Sequence, residues 1–327
     1  MKRLLLFTVT AALLLVCSTP AFADGKRYAV IVQGASGEPQ YATLHRGWVD
    51  SMVTVLKSQF KIDGPALSIL TETPGDGELR STAESVRTVF GRLAKETKAD
   101  DLVFVMLIGH GTGDAAAAKF NLIGPDLTAE EWSALLKPVP ARIAFVDSTS
   151  SSFPFLAGLA GPNRIVITAT STFGQKYHTV FPDAFIRAMT ANEADADKNG
   201  RISVMEAFTH ASRLVAQHYE QAGTMSTERA SIDDTGDGKG RDANSTGDDG
   251  NVAAFTYLAV STIPTVSDPE VQQLLVRQQS LTEQVDDLRR RKPTMSASDF
   301  DREFEKVIVD LALVSRDIRR KTVKRQP

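Results

Sequence analysis

The chain has 327 residues, 42% of them hydrophobic, and a formal net charge of −3 at pH 7. That hydrophobic content is enough for a large core, and the near-neutral charge argues against nucleic acid as the main partner, which calls for a basic face. No segment beyond the N-terminal residues is long and apolar enough to be transmembrane, so one sizeable domain with an appendage is expected.

The first residues have the three parts of a secretory signal. Lys2 and Arg3 supply the positive start, Leu4 to Val16 the short apolar run, and Ala21-Phe22-Ala23 the small-x-small cleavage site. Residues 1–23 are therefore expected to be an export signal, placing the protein in the periplasm or outside the cell. The alternative, acylation of Cys17, meets Val16 where such signals want a small residue. Cys17 is the single cysteine of the chain. Cleavage after Ala23 would leave no disulfide, no thiolate metal site and no thiol nucleophile.

Arg27 to Gly34 is a continuous apolar run ending in glycine, which predicts a strand buried on both faces. Leu44 to Phe60 carries Trp48, Met52, Val55 and Leu56 at helical spacing. Ala66 to Thr71 reads as a second strand and Ser81 to Thr97 as a second helix. Asp101 to Gly111 is the strongest strand, and Thr128-Ala-Glu-Glu131 forms a capping box that opens a helix through Leu136. Arg142 to Asp147 and Arg164 to Thr170 are two more strands, separated by a serine-rich turn and a short apolar helix. Alternation of apolar strands with helices predicts an α/β fold with a mostly parallel sheet covered on both faces. In such sheets functional residues gather beyond the carboxyl ends of the strands, where His110 and the Asp147 to Ser152 turn lie. His178 and His210 carry no recognisable pattern.

From Phe181 the chain turns helical, with an acidic turn before the helix of Val204 to Ala222. Asp195-Ala-Asp197-Lys-Asn199-Gly200-Arg201-Ile202-Ser203-Val-Met-Glu206 matches an EF-hand calcium loop. Oxygen donors stand at positions one, three and five, and glycine at six makes the sharp turn. Arg201 would offer its backbone carbonyl, Ser203 would bind directly or through water, and Glu206 would close the site with both oxygens. A lone loop of this kind suggests structural calcium; the alternative is a solvated acidic turn that caps a helix. Asp233, Thr235, Asp237 and Gly238 begin a similar pattern, but Asn244 stands at its twelfth position. Residues 233–250 are therefore expected to be a loop or partly disordered, and Val252 to Val260 a last strand.

Beyond Pro264 the composition shifts. Val271, Leu274, Leu281, Val285 and Leu288 keep heptad spacing, as do Phe300, Phe304, Val307, Leu311, Val314 and Ile318 after Pro293. Two such helices joined by a short link predict an antiparallel helical hairpin over 264–327. The alternative is a coil that joins two chains into a homo-oligomer.

A strand ending Ile108-Gly109-His110-Gly111, one ending Phe145-Val146-Asp147, and then Arg164 to Thr170 together resemble the caspase-like fold. The likeness is nearest to the legumain-type cysteine peptidases and their bacterial relatives, and it covers a domain at 24–263. The resemblance implies a histidine after the third strand that activates a cysteine after the fourth, with a protein or peptide bound in the groove between them. His110 falls on the family histidine. The family turn Asp-x-Cys-x-Ser-Gly falls on Asp147-Ser148-Thr149-Ser150-Ser151-Ser152, which puts Thr149 in the place of the cysteine and Ser152 in that of the glycine. The expectation is an exported pseudopeptidase that binds or scaffolds. The alternative is a peptidase using Thr149, or one of Ser148, Ser150 and Ser151, with His110 as base. Ser152 is expected to crowd the turn.

Overall fold

The computed structural model describes residues 25–113, 117–173, 175, 178–260 and 263–323. The expected export signal lies outside them. None of the described residues is a cysteine.

The first strand, β1 (Arg27–Gln33), leads into helix α1 (Pro39–Ser58), whose opening proline suits a position where a backbone N–H has no helical partner. Strands β2 (Leu67–Thr71) and β3 (Leu79–Arg80) follow, then α2 (Ala83–Glu96), capped by the Thr82 hydroxyl on the Ser85 N–H. Next comes β4 (Leu102–Ile108), every residue of which is buried. A small antiparallel sheet of β5 (Gly111–Thr112), β6 (Lys119–Phe120) and β7 (Leu127–Thr128) stands beyond its end. Helix α3 (Ala129–Leu136) opens with the expected capping box of Thr128 and Glu131. Then come β8 (Arg142–Asp147), α4 (Phe153–Leu159), β9 (Arg164–Thr168), α5 (Phe181–Ala188), α6 (Val204–Gln221) and β10 (Ser231–Asp233).

The main sheet has seven strands in the order β10-β9-β8-β4-β1-β2-β3, and only the β10–β9 pair is antiparallel. This is the expected α/β architecture. Successive strands run outward from β1 in one direction, whereas β4, β8 and β9 lie on its other side. The crevice between the ends of β1 and β4 is thus the point where the order reverses, the usual place for a site in such sheets. Side chains alternate between two cores. Ile31, Phe104, Met106 and Ile108 pack with α1, α5 and α6; Val30, Val32, Val105 and Phe145 pack with α2, α3 and α4.

The expected last strand at 252–260 does not form. A 3₁₀ turn occupies Ala253–Phe255, and Tyr257 makes a lone antiparallel bridge to Ser203. The backbone donors of Val252 and Ala253 are taken by the Asp234 carboxylate, at 2.8 and 2.7 Å. The sheet edge beside β9 is filled by β10. The 233–250 stretch is a loop as expected, but an ordered one. Asp233 and Asp234 are buried, and their carboxylates accept backbone N–H groups of the loop.

Helices α7 (Pro269–Arg291) and α8 (Ala297–Val323) form the C-terminal pair. Gln278 donates to Ser315 at 2.9 Å, and ion pairs join Glu270 to Lys321 and Arg291 to Glu303. Early residues of one helix meet late residues of the other, so the pair is antiparallel and its partner helix lies in the same chain. No helix among the described residues is long and apolar enough to cross a membrane.

Trp132 of α3 closes one core. Its ring is met edge-on by Phe90, Phe120 and Phe145 at centroid distances of 5.8, 6.3 and 5.6 Å, and its indole N–H is buried without a partner. Trp132→Ala is expected to cost about 3–5 kcal/mol in denaturant melts. Trp132→Phe, which leaves a smaller gap and removes the unpaired donor, is expected to cost less than about 2 kcal/mol.

Candidate functional site

His110 stands two residues past β4 because Gly109 brings the chain hard against Gly34 at the end of β1. Gly109 has φ +151°, and a Cβ there would lie 3.1 Å from the Gly34 nitrogen. On the other side, a Cβ on Gly111 would lie 2.9 Å from Thr149 Oγ1 and 3.0 Å from Lys119 O. Glycine on both flanks lets three strand ends close around one imidazole.

The imidazole sits among rings. Tyr41 of α1 meets it edge-on at 4.8 Å, and His45 lies 5.0 Å away. The Tyr41 ring also faces His178, at 5.5 Å. His45 is wholly buried, with Nδ1 3.4 Å from Ser36 Oγ and Nε2 unpartnered. Burial, helped by repulsion from His110 and His178, lowers the His45 pKa to about 4, so the ring is neutral near pH 7. Burial also lowers the pKa of His110; His178 adds to this, while the Ser36 backbone and Glu38 oppose it. A neutral His110 can accept a proton. Tyr41 and His45 escaped the sequence reading. The available signal was a histidine in the buried stripe His45, Val49, Met52 and Leu56 of α1.

The turn after β8 brings Thr149 to the same place. Thr149 is 1% exposed, and its N–H donates to Asp147 Oδ1 at 3.0 Å. No hydrogen bond joins it to His110 among the described residues. The hydroxyls around it are engaged: Ser148 donates to Leu107 O, Ser151 donates to Gly111 O at 3.0 Å, and Ser152 shares a bond with Thr170 at 3.0 Å. Ser152 does not crowd the turn as expected. Its backbone is right-handed at φ −71°, and its buried hydroxyl accepts the Thr170 N–H.

Asp147 is wholly buried, and its Oδ2 makes no hydrogen bond of good geometry. Burial pushes its carboxyl up to about 6, against the pull of the Thr149 N–H and hydroxyl. The carboxyl is thus costly to ionise and poor at holding a cation nearby.

The second constellation lies at 195–206. Asp195, Asp197 and Glu206 bring carboxylate oxygens within 4.8 Å of one another, a set that could hold a metal ion. Lys198 and Gly200 take the left-handed backbone at φ +57° and +82°. The Asp195 carboxylate accepts the Asn199 and Gly200 N–H groups at 3.0 and 2.9 Å, and Asn199 Oδ1 accepts the Arg201 N–H at 2.8 Å. Glu206 reaches back over the loop: Oε1 accepts the Ala196 N–H at 2.9 Å and Oε2 the Ser203 N–H at 2.8 Å. Ser203 caps α6 in a capping box with Glu206. The helix on the entry side differs from the expectation. Helix α5 ends at Ala188, and only a 3₁₀ turn at Asn192–Ala194 leads into the loop.

A second acidic group joins Asp233 and Asp237 to Asp249, five residues beyond Asn244, where the spacing had looked for a twelfth ligand. Its two buried carboxylates are engaged by the loop itself. Asp233 accepts the Gly236 and Gly238 N–H groups, and Asp249 accepts those of Asp234 and Thr235. His210 lies beside Arg213 at 3.1 Å and meets the Glu193 backbone, just ahead of the acidic loop.

No protein-family model and no curated protein matches the chain. Among solved structures it is similar to protein GSU0716 from Geobacter sulfurreducens. The identity is 14% and the TM-score 0.40, over 64% of this chain and 92% of that one. So loose a likeness carries no functional argument.

Asp147 makes the site sensitive to pH. Its folded pKa, about 6, lies above the ordinary 3.8, so the folded state holds the proton longer than the unfolded state. Its contribution to stability therefore falls as pH rises from about 4 to about 6, by an amount on the order of 2–3 kcal/mol. Asp147→Asn keeps the acceptor for Thr149 but adds an unpaired amide. It is expected to be more stable than the parent by about 1–2 kcal/mol at pH 7.5, with the gain gone below about pH 4. Urea melts at the two pH values read it directly.

Proposed function

We propose that this chain is an exported, caspase-like pseudopeptidase that binds or scaffolds other proteins and carries a structural calcium ion in its 195–206 loop. The observation that carries the first part is Thr149. A hydroxyl stands where the legumain-type pattern has a thiol, and it is buried without a hydrogen bond to His110. A neutral hydroxyl needs a close, oriented base to attack a carbonyl, whereas the partner of Thr149 is the wholly buried Asp147, which accepts its N–H at 3.0 Å. The serine hydroxyls at 148 and 151 donate to backbone carbonyls instead.

One observation favours the alternative, an extracytoplasmic endopeptidase. Thr149 Oγ1 lies against Gly111, the residue after His110, whose pKa is lowered by burial, so hydroxyl and imidazole belong to neighbouring stretches of chain. The same crevice between β1 and β4 would hold the peptide partner in either reading.

Calcium is supported by donor chemistry. Hard carboxylate and amide oxygens at positions one, three, five and twelve suit a hard cation, and a glutamate at position twelve, which could offer both oxygens, would favour calcium's larger coordination number over magnesium's. The residues that would hold it are Asp195, Asp197, Asn199, the Arg201 carbonyl, Ser203 and Glu206. A homo-oligomer through the C-terminal pair remains part of the proposal. Val309 and Leu313 lie one turn apart on α8 and are half exposed.

In a peptide-library assay the calcium-loaded protein is expected to show no turnover above that of His110→Ala and Thr149→Ala. Robust cleavage that both substitutions abolish would overturn the pseudopeptidase reading. Saturating calcium is expected to raise the melting temperature by about 5–10 °C over chelator-treated protein, and Glu206→Gln to remove most of that rise. A melting temperature indifferent to chelator would remove calcium from the proposal.

A further inference from the structure

The 195–206 loop does not stand free of the C-terminal helical pair. Position seven, Arg201, donates its N–H to Asn199 Oδ1 within the loop, while its guanidinium donates to Asp286 Oδ2 of α7 at 2.8 Å. That ion pair is well covered, with side chains 17% and 9% exposed. The same guanidinium lies 3.9 Å from the centre of the Tyr257 ring. Position five, Asn199, donates from Nδ2 to the Tyr257 hydroxyl at 3.2 Å. Position nine, Ser203, makes the lone antiparallel bridge to Tyr257, and the next residue, Val204, donates its N–H to Thr256 O at 2.9 Å. Three ligand positions thus lean on the short segment 256–257.

The neighbouring residue of that segment contacts the helical pair. Phe255 O accepts Arg290 Nη1 at 2.6 Å, and the Phe255 ring lies under the Arg289 guanidinium at 5.0 Å. Val285 and Leu288, on either side of Asp286 and Asp287, are buried. One strip of chain therefore touches both the metal loop and the face of α7.

We infer that cation binding at 195–206 and docking of the C-terminal helical pair on the core are thermodynamically linked, with Arg201 and Tyr257 as the coupling residues. The inference rests on the calcium reading proposed above. Three carboxylates drawn within 4.8 Å repel one another without a cation between them, and relief of that repulsion spreads the loop. Spreading displaces Asn199 and Arg201, and with them the contacts to Tyr257 and Asp286. A bound cation draws the donors inward and holds Arg201 where Asp286 can accept from it. Reciprocity then requires that a docked α7 tighten cation binding by the same factor by which the cation tightens docking.

The test uses the full chain, with calcium as the probe. Two quantities are measured for the parent, Arg201→Met and Asp286→Asn: the calcium dissociation constant by competition with a chelating dye, and amide hydrogen exchange across 269–291 with and without calcium. Arg201→Met keeps the backbone carbonyl ligand, and Asp286→Asn keeps the shape of its partner, so circular dichroism is expected to find both folded. The expected result is slower exchange in α7 when calcium binds the parent. In both variants calcium binding weakens about five-fold or more, and the calcium-dependent protection of α7 is lost. If calcium binds parent and variants alike and α7 exchange ignores it, the linkage is wrong while the calcium site stands. If the parent binds no calcium, the metal reading falls and the linkage with it.

Discussion

Seven consecutive residues, Leu102–Ile108, are buried on both faces of the sheet, and much else in the structure follows from that burial. A strand with no solvated face must have a strand on each side and helices above and below. Strand β1 and strand β8 supply the first, and α1, α5 and α6 against α2, α3 and α4 supply the second. Polar chemistry can begin only where the strand ends. It begins at once, with His110, because Gly109 and Gly111 let the ends of β1 and β8 close in around it.

The crowding at that point has an electrostatic consequence. Asp147 and His45 are both removed from water, and each is driven toward its neutral form, the carboxyl upward and the imidazole downward. The interior around these two groups therefore disfavours charge. Such surroundings suit a neutral, hydrogen-bonded turn better than an ionised nucleophile, and the threonine and serines of residues 148–152 make such a turn. The hydroxyls of Ser148, Ser151 and Ser152 are engaged, while Asp147 Oδ2 and His45 Nε2 stay buried without a hydrogen bond of good geometry.

The acidic loop is built differently: its carboxylates are gathered by backbone N–H groups of the loop itself. The appended helical pair is tied to the domain at this loop through Arg201 and Asp286, and at Phe255 through Arg289 and Arg290.

Local pattern was enough wherever a residue's role depends on its near neighbours. The apolar runs at 27–33, 102–108 and 142–147, the capping box at Thr128, the 195–206 loop and the heptads of α7 and α8 were all legible, because strand, cap, loop and helix are set by spacing within a few residues. The strand expected at 252–260 failed for a reason no local pattern contains: its backbone donors are taken by Asp234, nearly twenty residues earlier, and its place on the sheet by β10. The surroundings of His110 were likewise beyond reach, since Tyr41, His45 and His178 meet there only through the packing of α1 against the sheet. The sequence by itself determined an α/β chain with a hydroxyl-rich turn after its fourth predicted strand and an acidic twelve-residue loop. Only the tertiary structure decided that Thr149 is buried, and that the loop leans on the C-terminal helices. Both depend on contacts between residues tens of positions apart, and burial and long-range hydrogen bonds are properties of the folded chain.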